Sequence, residues 1–383
     1  MQPGFAIYIH WPFCLSRCPY CDFNAHVAED VDHGRWRRAL CTELSHFASE
    51  TAGEAARRTV TSVHFGGGTP SLMEPATVAA LLEAAGAHWS LADDVEITLE
   101  ANPSSVEAGR FAAFAEAGVN RLSLGVQSFD DAALAFLGHA HSATQARRAL
   151  ELAGRHFRRV SLNLIYARPE QTAGAWRGEL RDALSFGTEH LSLYQLTIER
   201  GTPFHKAGIE AAGDEQGGRL FDVTQDVLAT AGRPAYEISN HARPGAESRH
   251  NLNYWLGGDY AGIGPGAHGR LPANGRTDAV SQIPAPQAWI GAVEARGHGT
   301  KERRALNAGQ RRDELVMMGM RLGAGLDRER FRQQTGQSLE DAVDEAALAR
   351  LSGAGYLTLD SRGLRATPLG RPRLNALIAA LLA

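Results

Sequence analysis

The sequence predicts an α/β protein in which a partial (β/α)6 barrel is followed by a mostly helical, winged-helix-like C-terminal domain. Strand-like and helix-like segments alternate through the first part of the chain, which is typical of parallel βαβ units. Unusual residues follow several strands, in the segments GGGTP, EANP and GVQSF. Because a βα barrel carries its chemistry at the carboxyl ends of its strands, these segments indicate where a site would lie.

Six strand–helix units account for this alternation. FAIYIHW is the first strand, and HGRWRRALCTELSHFA is the helix after it. TVTSVHF is the second strand, and its helix runs from about Pro75 to Trp89. VEITLEA is the third strand, and Ser104 or Ser105 is the expected N-cap of the helix that follows it. The last three strands are NRLSLGV, RVSLNLIYA and HLSLYQLTI, with helical segments between them. The pattern ends before a full eightfold barrel could form.

Three regions are predicted from these patterns. Residues 1–232 form the partial barrel, and residues 233–304 form a Gly- and Pro-rich connecting region that contains HNLNYW. Residues 305–383 form the C-terminal domain, where helices precede the hairpin-like YLTLDSRGLRAT and a last helix in RPRLNALIAALL. Helices followed by a short hairpin indicate a winged-helix-like unit.

The composition is that of a globular protein, with 44% hydrophobic and 21% charged residues. The formal net charge is −4, which gives no general attraction to nucleic acid. The chain contains no apolar run of about 18 residues, as a membrane span requires. Its N-terminus lacks the pattern of a signal peptide, and four cysteines do not make a secreted disulfide framework. We therefore expect a cytoplasmic protein.

Three of the four cysteines, Cys14, Cys18 and Cys21, lie close together in CLSRCPYC. Thiolates are soft ligands that suit Zn²⁺ and iron–sulfur clusters. A disulfide would leave one thiol over and is rare in the cytoplasm. Three thiolates on a [4Fe–4S] cluster would leave one iron open for chemistry. A zinc site would need a fourth ligand, for which the candidates are His10, His26 and Cys41.

The CxxxCxxC spacing, on the loop after the first strand, resembles the radical S-adenosylmethionine (AdoMet) superfamily. The resemblance implies that Cys14, Cys18 and Cys21 hold a [4Fe–4S] cluster whose open iron is chelated by AdoMet. FGGGTPS, after the second strand, is similar to the glycine motif that meets the amino group of AdoMet. Glycines let the backbone approach a ligand and supply N–H groups, although a tight βα turn would explain the same residues.

The similarity extends to one branch of that superfamily. YIHWPFC, HFGGGTPS, EANP, GVQSF and HNLNYW together resemble the oxygen-independent coproporphyrinogen III oxidase-like proteins, over most of the chain. This branch contains true oxidases and heme chaperones. The oxidases carry a fourth cysteine where this chain has Phe23, and they have a long extension before the cluster, whereas here Cys14 is the first ligand. HNLNYW matches the motif of the chaperones, so the resemblance favours heme as cargo over coproporphyrinogen oxidase activity.

Further AdoMet contacts are implied by the same resemblance. Tyr8 and Tyr20 flank the cysteines, Gly67, Gly68 and Thr69 form the glycine turn, and Glu100 and Gln127 follow strands. Each polar residue could equally bond its own loop. The chain departs from the branch at two positions: His139 replaces an Arg, and Asn163 replaces an Asp. These positions belong largely to a second AdoMet in the oxidase, and the changes remove a fixed cation and an anion.

HNLNYW begins at His250 and includes Tyr254 and Trp255. Histidine is a common ligand of heme iron, and the two aromatic rings offer flat faces to a porphyrin. A packed segment in which His250 satisfies buried polar groups is the alternative. The resemblance further implies respiratory heme proteins, including membrane-associated ones, as acceptors and is compatible with a homodimer. A nucleic-acid role for the short basic run RGLRATPLGRPRL is not expected, because the chain is acidic overall.

Overall fold

The computed structural model describes residues 3–51, 59–273 and 275–383. Residues 1–2, with which the predicted first domain begins, lie outside that part of the chain. The first strand, β1 (Phe5–Trp11), coincides with the predicted FAIYIHW. The elements that follow, up to the predicted boundary, are β2 (Phe13–Cys14), β3 (His26–Val27), α1 (His33–Thr51), β4 (Val60–Gly67), α2 (Pro75–His88), β5 (Leu91–Ala101), α3 (Ser105–Ala108), α4 (Phe111–Glu116), β6 (Arg121–Gln127), α5 (Asp131–Phe136), α6 (Ala143–His156), β7 (Arg159–Tyr166), α7 (Ala173–Ser185), β8 (His190–Gln195), α8 (Pro203–Lys206) and α9 (Asp214–Thr230).

The six predicted strands pair side by side as parallel neighbours, in the order β1, β4, β5, β6, β7 and β8. Most of their residues are buried, on both faces in β1, which is the environment that parallel strands require. Helix starts follow local sequence: Ser104 accepts a hydrogen bond from Glu107 N as the predicted N-cap of α3. The α/β partial barrel is therefore confirmed.

The connecting region is more regular than its composition suggested. A seventh parallel strand, β10 (Asp259–Ile263), pairs with β1 on the side opposite β4. Its carboxyl end therefore opens onto the same edge of the sheet as the other six. The other elements here are β9 (Asn240–Ala242), α10 (Arg249–Trp255), β11 (His268–Ala273), β12 (Arg276–Gln282), α11 (Pro286–Arg296) and β13 (Thr300–Ala305).

These strands extend the barrel sheet at both edges. β9 pairs antiparallel with β8, while β11, β12 and β13 continue antiparallel from β10. Within the described residues the sheet thus has the order β13-β12-β11-β10-β1-β4-β5-β6-β7-β8-β9. The boundaries at residues 232 and 304 stay predictions from the sequence.

The C-terminal part has a core of its own, which includes Leu315, Phe331, Leu364 and Leu377. It consists of helices and a small antiparallel sheet in the order β14-β16-β15, as predicted for a winged-helix-like unit. Its elements are α12 (Ala308–Gly319), β14 (Leu326–Asp327), α13 (Arg328–Thr335), α14 (Glu345–Gly353), β15 (Leu357–Leu359), β16 (Gly363–Ala366) and α15 (Leu374–Leu381). In the part of the chain that the structure describes, no helix has the length and apolar character to cross a membrane.

Candidate functional site

The three clustered cysteines lie on the loop between β1 and α1, at the carboxyl edge of the barrel. Cys14 ends β2, which pairs with β3 so that Cys14 faces Val27 in register. Cys21 N donates to Cys18 O over 3.1 Å, which closes a tight turn between the second and third thiols. Asn24 fixes the end of the loop, because its Nδ2 donates to the carbonyls of Pro265 and Pro284, each over 2.9 Å. The loop is thereby tied to the turn that follows β10.

Partial burial disfavours the thiolate form of all three cysteines. It raises the pKa of Cys14 and of Cys21, and it raises the pKa of Cys18 to about 11, with the neighbouring thiols contributing repulsion at Cys14 and Cys18. Three desolvated sulfurs on one short loop need a cationic centre to ionise together. All four cysteines are free.

The side chains around the cysteines can be compared with the metal centres that the sequence left open. Among the described residues, no group of three His, Cys, Asp or Glu side chains is arranged around a single metal ion. That arrangement is what a structural zinc site requires. A [4Fe–4S] cluster instead binds each thiolate through a different iron, so its ligands lie farther apart than those of one ion. Two of the candidate fourth zinc ligands have other contacts. Cys41 lies on α1 and packs against the barrel core, and the His10 ring forms hydrogen bonds with the Tyr8 hydroxyl and the Asn24 carbonyl. Three thiols on one loop are the ligand type that an iron–sulfur cluster takes, so the residues present fit such a cluster.

The glycine turn after β4 is built against the first cysteine. A Cβ on Gly68 would lie 2.9 Å from Cys14 Sγ and 2.8 Å from Phe13 O, so only glycine fits there without displacement. Thr69 donates its hydroxyl to Cys14 Sγ over 3.4 Å. The N–H groups of Gly68 and Thr69 donate to Trp11 O and Phe13 O. These two N–H groups fix the turn to the cysteine loop, and the role of Gly67, Gly68 and Thr69 in AdoMet binding stays a prediction from the resemblance.

Tyr20 and His139 meet at the second cysteine. The Tyr20 hydroxyl lies 2.8 Å from His139 Nε2, and the same nitrogen lies 4.0 Å from Cys18 Sγ. Burial lowers the pKa of His139 to about 4, so its imidazole is neutral at pH 7. The change from Arg to His at position 139 thus places a neutral ring next to the cysteine loop.

A cavity of about 400 Å³ opens beside the cysteine loop. Its volume is in the range of small-molecule sites. Glu100 contributes a carboxylate that is 39% exposed, and His64 Nε2 lies 2.9 Å from its Oε1. Phe23, at the fourth-cysteine position of the oxidases, has 64% of its surface exposed and lines the same cavity. The lining includes Tyr8, Phe23, Gly67, Glu100, Tyr254 and His268.

Gln127 and Asn163 lie on the neighbouring strands β6 and β7. Gln127 has φ 63°. Among the described non-glycine residues, only Gln127, Ala167 and Glu170 have a positive φ. Such conformations cost free energy and cluster at functional rims. Asn163 exchanges hydrogen bonds with Ser123 over 3.2 and 3.3 Å. Neither side chain forms a hydrogen bond to the cysteine loop within the described residues.

A larger open groove of about 550 Å³ lies beside the loop after β7. Glu170, Glu179 and Asp182 line it, together with Arg168, whose guanidinium is paired with Glu179 over 2.8 Å. None of the predicted site residues lines this groove. We therefore place the candidate site at the smaller cavity next to the cysteines.

His250 lies in the interior of the barrel, on the short helix α10. Only 3% of its surface is exposed, and its ring stacks on His64, with centroids 4.4 Å apart. Tyr254, one turn later, contacts the His250 ring edge-on at 4.5 Å and reaches the cavity. Within the described chain, His250 Nδ1 is buried without a hydrogen-bond partner. The motif therefore presents Tyr254 to the cavity while His250 lies behind it.

Sequence reasoning missed the residues that hold α10 in place. Glu96, which is 2% exposed, accepts hydrogen bonds from Arg249 N over 2.9 Å and from His250 N over 3.3 Å. Its other oxygen forms a buried ion pair with Arg121 over 3.0 Å. Strand alternation places Glu96 on the same face as Glu100, so the VEITLE pattern contained a signal for an inward carboxylate. Arg121, at the start of the next strand, was the corresponding signal for the ion-pair partner of Glu96.

Glu43 was also missed. This fully buried carboxylate of α1 accepts from Gly264 N over 2.7 Å, from Gly299 N over 2.6 Å and from Trp289 Nε1 over 3.0 Å. It thereby joins α1 to α11 and to the turn after β10 that borders the cavity. An acidic residue among Leu40, Leu44 and Phe47 on one helical face was the available signal.

Comparison with known proteins agrees with this geometry. Residues 8–182 match the Radical SAM superfamily model, and residues 306–373 match the HemN C-terminal domain model. The chain is 37% identical to the protein named heme chaperone HemW of Escherichia coli, covering all of this chain and 99% of that one. It is 42% identical to a mitochondrial radical S-adenosyl methionine domain-containing protein 1 of Bos taurus, covering 98% of this chain and 87% of that one.

A solved structure is similar in fold over almost the whole of this chain. The structure of HemN, the coproporphyrinogen III oxidase of Escherichia coli, superposes with a TM-score of 0.83 at 22% identity, covering 99% of this chain and 90% of that one. At that identity the likeness establishes the fold alone. The fold and the cysteine loop together define a radical SAM protein with a HemN-type C-terminal domain. Within that class, the chain belongs to the HemW family.

Proposed function

We propose that this protein is a heme chaperone that binds heme and delivers it to respiratory heme proteins, while Cys14, Cys18 and Cys21 hold a [4Fe–4S] cluster with AdoMet. The observation that carries the proposal is the cysteine loop itself: it has three thiols, and at the fourth position the exposed Phe23 faces a cavity with Tyr254. The Escherichia coli relative named heme chaperone HemW supports the same function.

The residues of this chain have distinct roles in the proposal. The three thiolates would each bind one iron, Thr69 would hold the Cys14 sulfur through its hydroxyl, and Gly68 would leave room for that sulfur. Gly67 and Glu100 border the cavity and would contact AdoMet there. When bound, the cluster and AdoMet would supply one-electron chemistry at this site.

Heme would be held by apolar contact at the cavity mouth. Phe23 and Tyr254 offer aromatic faces there, and aromatic surface is the main attraction of a pocket for a flat porphyrin. His250 lies behind Tyr254, so its ring could reach heme iron only if the stack with His64 opened. The assignment of His250 as heme ligand remains a prediction from the sequence resemblance.

Reconstituted protein tests the function directly. Anaerobic iron and sulfide analysis should give one [4Fe–4S] cluster per chain, and added heme should produce a stable absorption band after gel filtration. The protein should leave coproporphyrinogen III unchanged under reducing conditions with AdoMet. Conversion to protoporphyrinogen IX would instead make the chain an oxidase. The Cys18→Ser variant is the matched control, which should lose the cluster while the fold persists.

The C-terminal basic run offers few unpaired arginines for binding a nucleic acid. In the basic run of the C-terminal domain, Arg365 pairs with Asp360 over 2.8 Å, and Arg371 donates to Glu237 O over 2.8 Å. Arg373 lies over the Tyr356 ring. Phosphate binding would have to compete with these contacts. A cytoplasmic location, acceptors at the membrane and a homodimer stay predictions from the resemblance.

A further inference from the structure

We propose that His64 is a positioning residue for the AdoMet site: its Nε2–H holds the Glu100 carboxylate so that the free oxygen of that carboxylate meets the ligand. The inference rests on the proposed function, in which Glu100 contacts AdoMet in the cavity beside the cysteines. His64 itself does not line that cavity, so its effect on the ligand passes through Glu100.

His64 and Glu100 approach each other from two neighbouring strands. His64 pairs with Thr98 in the register of β4 and β5, and Glu100 is the second residue after Thr98. The flanking Phe65 and Leu99 belong to the apolar core. Strand alternation therefore turns His64 and Glu100 to the opposite face, toward the barrel interior. His64 Nε2 lies 2.9 Å from Glu100 Oε1, and because a carboxylate accepts, the Nε2–H donates.

Packing fixes the direction in which the His64 ring points. His250 stacks on the ring with centroids 4.4 Å apart, and Tyr8 stacks on it at 6.1 Å. Gly66 makes room for these rings, because a Cβ there would lie 2.9 Å from Tyr8 Cε2 and 3.2 Å from His64 Cδ2. The ring is buried, so its Nε2–H is aimed at Glu100 before any ligand binds.

The polar contacts of His64 distinguish this role from a purely structural one. Within the described residues, the bond to Glu100 is the one hydrogen bond of the ring, and its Nδ1 is buried without a partner. A structural histidine normally satisfies a buried polar group. The partner here is instead a carboxylate that is 39% exposed and borders the cavity. The bond therefore orders a group at the site.

An ordered Glu100 should favour ligand binding. One of its oxygens is fixed by His64, and no hydrogen bond from the described part of the protein reaches the other. A flexible glutamate loses conformational freedom when a ligand orders it, and a carboxylate that is already held loses less. AdoMet offers N–H and O–H donors, in its ammonium group and its ribose hydroxyls, to the free oxygen. His64 should thus strengthen AdoMet binding without touching the ligand.

Equilibrium dialysis of AdoMet against the anaerobically reconstituted protein, at matched iron and sulfide content, tests this role. His64→Phe keeps a ring for the stack but removes the N–H, and it should weaken AdoMet binding about tenfold, which is about 1.4 kcal/mol. His64→Gln places an amide N–H at a similar reach and should rescue most of that loss. Because His64 acts through Glu100, the double variant H64F/E100A should bind AdoMet as weakly as E100A alone.

Thr98→Val is the packing control, since Thr98 pairs with His64 and its buried hydroxyl has no partner within the described chain. It should bind AdoMet as the parent does. Equal affinities in H64F and the parent would overturn the role of His64, as would an equal loss in H64Q or T98V. Should H64F lose its cluster, H64N against H64Q decides, because the asparagine amide is too short to reach Glu100: a loss only in H64N supports the role, and equal affinities refute it. A parent that holds the cluster but binds no AdoMet would refute the AdoMet site of the proposed function instead.

Discussion

The imidazole rings of His250 and His64 stack inside the barrel, with centroids 4.4 Å apart and planes 15° from parallel. Tyr8 stacks on both rings, at 5.9 Å from His250 and 6.1 Å from His64. Burial lowers the pKa of His250 well below its ordinary value, so the stacked ring is neutral. This column links the HNLNYW helix to β1 and β4 and forms the wall behind the candidate site.

Removing the His250 ring should destabilise the protein. The ring is 3% exposed, so His250→Ala would leave a cavity beside His64 and should cost about 3 kcal/mol in the free energy of unfolding. His250→Phe preserves the stack and should cost less than about 1.5 kcal/mol. Urea unfolding measures both, and an alanine variant as stable as the parent would contradict the packing role. Heme lost from a stable His250→Phe protein would assign the iron ligand to His250.

Gly68 should be essential for cluster binding. In Gly68→Ala the new methyl group would displace Cys14 Sγ or the Phe13 carbonyl, so iron and sulfide content should fall several-fold. Gly154→Ala is the matched control, because a Cβ there meets nothing within 4 Å on α6. The control should keep its cluster and gain up to about 1 kcal/mol of stability. Full cluster content in Gly68→Ala would show that the turn adapts.

The ion pair of Glu96 and Arg121 should contribute strongly to the stability of the barrel. Both side chains are almost fully buried, and Glu96 also accepts from two backbone N–H groups at the start of α10. Glu96→Gln would leave the Arg121 charge uncompensated and should cost about 3–5 kcal/mol. Arg148→Ala breaks an exposed pair with Glu151 and should cost below about 1 kcal/mol. Similar losses in the two variants would argue against the buried pair as an anchor.

Glu43 should make stability depend on pH. Burial raises its pKa from 4.5 to about 7 in the folded protein, so the folded state binds more protons than the unfolded state between those values. The free energy of unfolding should therefore fall as pH rises from 4.5 to 7, by at most about 1.4 kcal/mol per unit from this group. Glu43→Gln should flatten that slope, as measured by urea unfolding across the range. An unchanged slope in the variant would show that other groups cause it.

The sequence predicted the barrel strands more accurately than the region after them. FAIYIHW and TVTSVHF are continuous apolar or β-branched runs, and such runs identify buried parallel strands without further information. Strand β10 pairs with β1 across more than two hundred residues, and its short segment DYAGI has no local signal for that pairing. The Gly- and Pro-rich composition around it indicated loops, because turns dominate the local pattern.

The candidate site divides in the same way. The motifs CxxxCxxC and GGGTP could be identified from the sequence, because their chemistry depends on residue type and on local spacing. The partner of Cys18 could not be foreseen, since His139 lies 121 residues later and meets the sulfur only through the folding of β6 and its helix. The hydrogen bonds from Gly68 N and Thr69 N to the cysteine loop could not be foreseen either, because they join two segments that are more than fifty residues apart in the sequence.

By itself the sequence determined the α/β barrel, the cysteine loop with its three thiols, the absence of a cysteine at Phe23 and the family. These depend on hydrophobic periodicity and on residue types at short spacing, which act before any long-range contact forms. Only the tertiary structure decided that His250 lies behind Tyr254, that Glu96 and Arg121 anchor its helix, and that His139 meets both Tyr20 and Cys18. Burial and hydrogen-bond direction arise from packing between distant segments, so no local pattern can encode them.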